Sequence, residues 1–510
     1  MANGIPFLQQ ILQRKPIDTA IRESKASEMK RTLGVVQLTF LGIGMIIGAG
    51  IFVLTGKAAA QNAGPSIALS FVVGAVLSGF SALSYSEMTT IIPISGSAYS
   101  YSVSTLGEIF GWIVGWDLLL EYVIGNSAVA SGWSAYVVSF FKEVFNVNFP
   151  VSTTKSPLSY VNDKFVVNKG SYINLPAIFI TVLIMGILCL GVRESSAVNA
   201  VVVVIKLAVI ILFIFGSIKY VDRENLKPFV PKAENGQFGV LGIIKGAQRV
   251  FFSYIGFDAI SVASQEAKNP QRDLPIAVIV SLVVCTLMYI GVSLVLCGIA
   301  PYTELGVDAP ISYALSKYPG SKYLQVLVSL GAIAGLTSVI LVSLMSQSRL
   351  FMVIASDGLF PRAFARLHPK FKTPIYPIII TGTAMCALAG VLPVELLGDM
   401  ASVGTLFAFL SVNICVIVLR FTDPHRHRDF KVPLGPFVFP VLGSGICITL
   451  IVVSGSSTII RLFAWMGIGL LLYFGFAMRS SRIRSYIEEN ERILLEETPE
   501  KFTISESSQA

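Results

Sequence analysis

The sequence predicts an all-α membrane protein of twelve transmembrane helices, built as two inverted five-helix repeats plus two further helices. Three observations carry that expectation. Of 510 residues, 54% are hydrophobic and only 13% charged, about half the charged share of a soluble domain. With a mean hydropathy of +0.73, the chain holds more apolar side chain than one globular core can bury, so much of it faces lipid. Two of the apolar runs, five spans apart, are interrupted by glycine and polar residues.

Runs of roughly 20 apolar residues fall near 35–60, 66–92, 109–141, 174–191, 196–218, 240–264, 276–300, 323–355, 375–393, 402–420, 434–454 and 457–478. This divides the chain into a tail over 1–34, a first repeat over 35–218, a second over 240–420, helices eleven and twelve over 434–478, and a tail over 479–510. An even span count puts both tails on one side, and basic residues choose the side. Arg14, Lys15, Arg22, Lys25, Lys30 and Arg31 precede span one. Arg362, Arg366, Lys370 and Lys372 follow span eight, Arg426, Arg428 and Lys431 follow span ten, and Arg479, Arg482 and Arg484 follow span twelve. That face is expected to be cytoplasmic, although Lys219, Arg223, Lys227 and Lys232 between spans five and six weaken the bias. Residues 142–173 and 301–322 are then outside, and 93-PISGSAYSYS-102 is a cytoplasmic connector.

The net charge of +8, from 38 basic and 30 acidic residues, is not gathered into a long basic face, which argues against nucleic-acid binding. All six cysteines, Cys189, Cys285, Cys297, Cys386, Cys415 and Cys447, lie in apolar stretches and read as small buried hydrophobes. Residues 1–31 lack an apolar core followed by a cleavage site, so no cleaved signal peptide is expected.

Span one carries Gly42, Gly44, Gly48 and Gly50 within 42-GIGMIIGAGIF-52. Each glycine costs a helix interior about 1 kcal/mol relative to alanine. Two readings stand. The helix breaks here and its freed backbone groups face a polar cavity, since lipid does not tolerate them, or Gly44 and Gly48 form a helix-packing motif. A dinucleotide fingerprint is excluded for want of a preceding strand and a later acid. Span six supports the break: Ser253, Gly256 and Asp258 interrupt 251-FFSYIGFDAI-260. Because five is odd, the second five-span repeat is inverted, the arrangement of secondary transporters with a substrate site near the midplane. Half-helix N-termini favour a carboxylate and carbonyl ends an ammonium, so a zwitterionic amino acid suits both.

Lys206 sits about 15 Å from either end of its span at 1.5 Å per residue, too deep to snorkel. It is either neutral part of the time, hence able to exchange a proton, or locked in a structural ion pair. In 116-WDLLLEY-122, Asp117 and Glu121 lie one turn apart. Glu121 is the candidate for substrate or Lys206 contact and Asp117 for a structural helix-to-helix partner. Asp258 caps a half-helix or holds a gate. The histidines His368, His425 and His427 sit in loops without metal-ligand spacing, so no metal site is expected. No nucleotide-binding, hydrolase or zinc-protease motif is found, and no cofactor is expected.

The segments 41-LGIGMIIGAGIFVLTG-56, 93-PISGSAYSYS-102, 110-FGWIVGWDLLLEY-122, 251-FFSYIGFDAISVASQEAKNPQRDLPI-276 and 347-QSRLFMVIASDGLFP-361 resemble the amino acid-polyamine-organocation superfamily. More narrowly, they are similar to bacterial relatives of the cationic amino acid transporters. The likeness runs from about residue 30 to 478. It implies a leucine-transporter type fold and proton-coupled amino acid uptake. By resemblance, Ile43, Gly44, Ile46, Ala49 and Gly50 hold the substrate carboxylate and part of the amine, and carbonyls of Phe252, Ser253 and Ile255 complete the ammonium site. Lys206 matches the proton-coupling lysine of span five, and Glu121 an acid near the site. Ser343 stands where the family carries bulkier side chains, leaving room for arginine, lysine or ornithine beside small neutral amino acids.

The expected function is therefore proton-coupled amino acid uptake by alternating access, with amino acid, protons and lipid as partners and an accessory membrane subunit left open. An exchanger of the same fold and, less well supported, a nutrient receptor signalling through its tail are the alternatives. An enzyme is disfavoured because no nucleophile, base and orienting group cluster, and a channel because no filter segment repeats.

Overall fold

The structure, a computed structural model, describes residues 10–26, 31–161, 164–191, 196–234, 236–371 and 373–497. Lys30, Lys372 and residues 1–9 and 498–510 of the two tails lie outside the described residues, as does the side chain of Lys25. Among the described residues, the regular structure is helical apart from one hairpin. A short helix α1 (Ile17–Ala26) precedes α2 (Val35–Ile46), a helical run over 50–63 (α3), α4 (Ile67–Ile91), α5 (Ser97–Thr105) and α6 (Glu108–Phe145). Antiparallel strands β1 (Leu158–Val161) and β2 (Lys164–Val167), with Leu158 opposite Val167, form the hairpin in the first long excursion. Next come α7 (Leu175–Cys189), α8 (Ser196–Ser217), α9 (Gly239–Val250), α10 (Ala259–Val262) and α11 (Pro270–Ile299). The rest is α12 (Pro310–Ser316), α13 (Lys322–Ser356), α14 (Ile375–Val391), α15 (Val394–Thr422), α16 (Phe439–Val453), α17 (Ser456–Leu472) and α18 (Ile483–Glu497).

Among the described residues, seven helical runs are long and apolar enough to cross a membrane, against the twelve spans expected. The difference has local causes. Expected spans one and two fall within the single apolar stretch Val35–Ile91, whereas α7, α14 and α16 are apolar but only 15, 17 and 15 residues long. The span expected at 240–264 is divided between α9 and α10.

Local chemistry sets the ends. α6 begins after Gly107, whose φ of +115° and the Leu12 carbonyl 2.9 Å from a would-be Cβ both demand glycine. It closes on Asn146 in the left-handed region at φ 55°, which asparagine tolerates. Asn174 caps α7 by accepting from the Ala177 amide at 3.3 Å, and Pro270 opens α11 where no amide is needed.

α6 lies in the middle, packed on α13 and α15, and α4 packs on α11. Peripheral helices present apolar side chains outward, with Phe215 of α8 and Phe463 of α17 each 69% exposed. Such a surface is compatible with lipid and not with water. At one end of the bundle the first and last described segments touch. Arg22 donates to Asn490 Oδ1 at 2.6 Å, and buried Lys15 pairs with Asp357 at 2.6 Å. At the other end Lys57 bridges Asp308 (2.6 Å) and Glu395 (2.7 Å), and Arg249 pairs with Asp399 (3.1 Å) while donating to Gln61 and Asn62.

Candidate functional site

The glycine-dense segment of the first run does break its helix. α2 stops at Ile46, Ile47 is extended (φ −76°, ψ 95°), and helical structure resumes at Gly50 in a wide π turn. The second interrupted run also breaks. α9 passes into a tight turn over Phe251–Tyr254, Ile255 is extended (φ −62°, ψ 135°), and Gly256 adopts φ +117° before α10. The two breaks touch each other. A Cβ on Gly50 would meet Ser253, and one on Gly256 would stand 3.0 Å from the Met45 Cβ. Tyr289 of α11 holds both, its hydroxyl 2.7 Å from the carbonyls of Ile46 and of Ser253. Having one proton, the phenol shares it between the two acceptors.

Between the breaks lies a small, partly open cavity. Met45, Ile46, Gly48, Ala49 and Gly50 line it from the first break, and Phe252, Ile255, Gly256 and Asp258 from the second. α6 contributes Glu121, Tyr122, Gly125, Asn126 and Val129, a single helical face, and α13 contributes Val339 and Ser343.

Of the residues expected at a substrate site, Ile46, Ala49, Gly50, Glu121, Phe252, Ile255 and Ser343 line this cavity together, joined by Asp258, expected as a cap or gate. Ile43, Gly44 and Ser253 are close by but do not line it. Gly44 faces α8, where a Cβ would stand 2.9 Å from Val203, and Ser253 is turned toward Gly50. Lys206 lies beside the first break and not in the cavity. Fully buried, its ammonium donates to the carbonyls of Gly44 (2.7 Å) and Ile47 (3.2 Å) at the terminus of α2. These are carbonyls that a helix end leaves unpaired, at the negative pole of its dipole.

Asp258 occupies the position before α10 but makes no capping bond there. Its carboxylate accepts from the Gly256 amide at 3.2 Å, within the broken loop, and from the Tyr122 hydroxyl at a long 3.4 Å. Asp117 is fully buried against Gly404, and among the described residues neither carboxylate oxygen has a hydrogen-bond partner. The helix-to-helix polar contact expected of it is absent there. Sequence reasoning missed Tyr122, Asn126 and Tyr289. Asn126 carried a signal, a polar residue five positions after Glu121 in an apolar run. Tyr289 had none, because its acceptors lie 243 and 36 residues away.

Comparison with known proteins agrees with this architecture. A family profile described as "Amino acid permease" matches residues 33–475. The methylthioribose transporter of Bacillus subtilis (strain 168) is 42% identical over 474 residues, covering 93% of this chain and 99% of the relative. The branched-chain amino acid permease BcaP of the same organism is 40% identical over 477 residues, with the same 93% and 99% coverage. Cationic amino acid transporter 9, chloroplastic, of Arabidopsis thaliana is 37% identical across 92% of this chain and 80% of its own length. These relatives are named as transporters and permeases rather than enzymes. The protein is a multi-pass membrane protein of mixed long, short and broken helices, and it belongs to the amino acid permease family.

Proposed function

We propose that this chain is a secondary active transporter that takes up small neutral or cationic amino acids together with a proton, by alternating access. The observation that carries the reading is the cavity bounded by two broken helices with a buried lysine on the carbonyl end of one of them. The first-turn amides of α3, near Ala49 and Gly50, suit a carboxylate, and carbonyls of the second break, near Phe252 and Ile255, suit an ammonium. Glu121 and Asp258 give the cavity an acidic side, Val129 and Val339 an apolar one, and Ser343 leaves room beyond them. Lys206, when charged, ties α8 to the first break; when neutral it loosens that tie, so protonation biases which side opens.

The same reading takes 35–218 and 240–420 as inverted repeats within a twelve-span, leucine-transporter type fold. Both tails then face the cytoplasm of a bacterial inner membrane, following the basic residues. The test is uptake into proteoliposomes with an outside-acidic gradient. Alanine or lysine uptake that rises with the gradient and falls when it is dissipated is expected. Uptake indifferent to the gradient removes proton coupling, and a need for internal amino acid favours an exchanger. Transport of methylthioribose with no amino acid taken up removes the substrate class.

A further inference from the structure

We propose that Asp117 is a proton carrier of the transport cycle, a second carboxyl behind the cavity that exchanges a proton with Glu121. The inference rests on the proton-coupled reading and adds a residue to it. Asp117 has no exposed surface, and both of its oxygens are without a hydrogen-bond partner among the described residues. A bare anion buried there without a partner is costly, and as the proposed carrier Asp117 holds a proton in this conformation. It is not there by default of packing. It packs closely on Gly404, where a Cβ would stand 3.1 Å from Asp117 Oδ1.

Among the described residues no counterion replaces the proton. The charged groups on the helices packed around α6 are engaged elsewhere. On α15, Asp399 pairs with Arg249, Glu395 with Lys57 and Arg420 with Glu87. Arg349 of α13 pairs with Glu266, and Arg461 of α17 bonds the Tyr160 hydroxyl. Lys322 stands at the first residue of α13, the phenols of α5, Tyr99 and Tyr101, bond Asp357 and Thr89, and α7 and α14 bring thiols and the exposed Tyr376. What remains within reach is Glu121, one turn along the same helix, which lines the cavity and whose Oε2 also lacks a partner among the described residues.

Two buried carboxyl groups one turn apart, Asp117 with neither oxygen partnered and Glu121 with Oε2 unpartnered among the described residues, are the parts of a relay. Once Asp117 has released its proton in another conformation of the cycle, the O–H bond of protonated Glu121 breaks and its proton passes, directly or through one water, to the Asp117 carboxylate. Glu121 is left as the anion, free to accept the next proton from the cavity. Asp117 then releases its proton toward the end of the bundle where α6 begins. Cavity and relay are thereby separated, so that substrate can occupy the first while the proton resides in the second.

Asp117→Asn keeps the shape and removes the transferable proton. In proteoliposomes the full-length variant should bind substrate by thermal shift and catalyse counterflow as the wild type does, yet lose gradient-driven accumulation. Asp117→Glu should restore accumulation and Asp117→Ser should not, which keeps the question decidable if the Asn variant fails to fold. Accumulation by Asp117→Asn or Asp117→Ser at the wild-type level overturns the proposal, as does loss of counterflow together with accumulation, the mark of a merely structural residue. If the wild type itself shows no gradient-driven accumulation, the proton-coupled reading falls first, a result distinct from a variant that stays driven.

Discussion

Gly50 and Ser253 approach so closely that a methyl group on Gly50 would stand 2.2 Å from Ser253 Oγ and 2.5 Å from its Cα. The second contact is with backbone, which cannot swing aside as a flexible side chain can. The closeness of the two breaks therefore depends on one missing side chain. Gly50→Ala should separate the segments and destabilise the protein by about 1–3 kcal/mol, the range for overpacking, with substrate-dependent thermal stabilisation lost. Gly467→Ala, where nothing lies within 4 Å of the new methyl, is the control. A Gly50→Ala protein that melts and binds as the wild type does would show that the breaks do not need this contact.

Both breaks were legible in the sequence because helix-weakening residues concentrate there: four glycines in nine positions at the first, and Ser253, Gly256 and Asp258 at the second. The cavity residues Ile46, Ala49, Gly50 and Ile255 were expected from the family resemblance, at the breaks the glycines and polar residues mark. What the sequence could not yield were pairings between distant elements. Which carbonyls Lys206 meets depends on how α8 crosses α2, and nothing in an apolar helix encodes that crossing locally. The same holds for Gly44, a member of the glycine cluster that turns out to admit α8. For Asp117, spacing on α6 suggested a partner, and only the facing glycine at 404 shows that none is supplied. The hairpin over 158–167 was hidden in a polar excursion whose two short strands give too little alternation to read.

Tyr289 serves two acceptors that would otherwise be unpaired at the edges of the two breaks. Tyr289→Phe keeps the ring, which packs on Phe71 and Tyr254, and deletes only the shared proton. Leaving buried carbonyls unsatisfied costs about 1–3 kcal/mol, so the melting temperature should fall measurably. Substrate affinity should fall with it, because the two breaks lose their common anchor. Unchanged affinity in a clearly destabilised variant would confine the phenol to a structural role.

The ion pairs at the end opposite the chain termini should not be the pH-sensitive element. The Lys57 ammonium beside Asp308 holds that carboxyl below the usual carboxylate range. A depressed carboxylate pKa contributes stability above the unfolded value of about 3.9 and loses it as pH falls through the folded value. The contribution is therefore constant across pH 5–8 and fades only below about pH 4. Asp308 is 44% exposed and Lys57 keeps Glu395, so Asp308→Asn should cost on the order of 1 kcal/mol or less at pH 7. The pH dependence of uptake between 5 and 8 should be that of the wild type. A profile displaced by this variant would move the pH sensor to this tie.

The proposed proton coupling rests on Lys206. Its amine reaches two carbonyls at the end of α2, and its stem lies against Gly335 of α13, whose Cβ would stand 2.9 Å from Lys206 Cε. One side chain thus touches a helix that bounds the cavity and another that contributes Ser343 to it. Losing the proton weakens the ammonium as a donor to both carbonyls at once, since charged donors bond about twice as strongly as neutral ones. Lys206→Ala removes the donor, leaves Gly44 and Ile47 carbonyls exposed to one another, and opens space beside Gly335. Uptake in proteoliposomes should lose its dependence on the proton gradient, while a pH series of thermal shifts with substrate should flatten. A Lys206→Ala protein whose uptake still follows the gradient as the wild type's does would place coupling elsewhere, with Glu121 and Asp258, the carboxyls on the cavity wall, the groups next to be replaced.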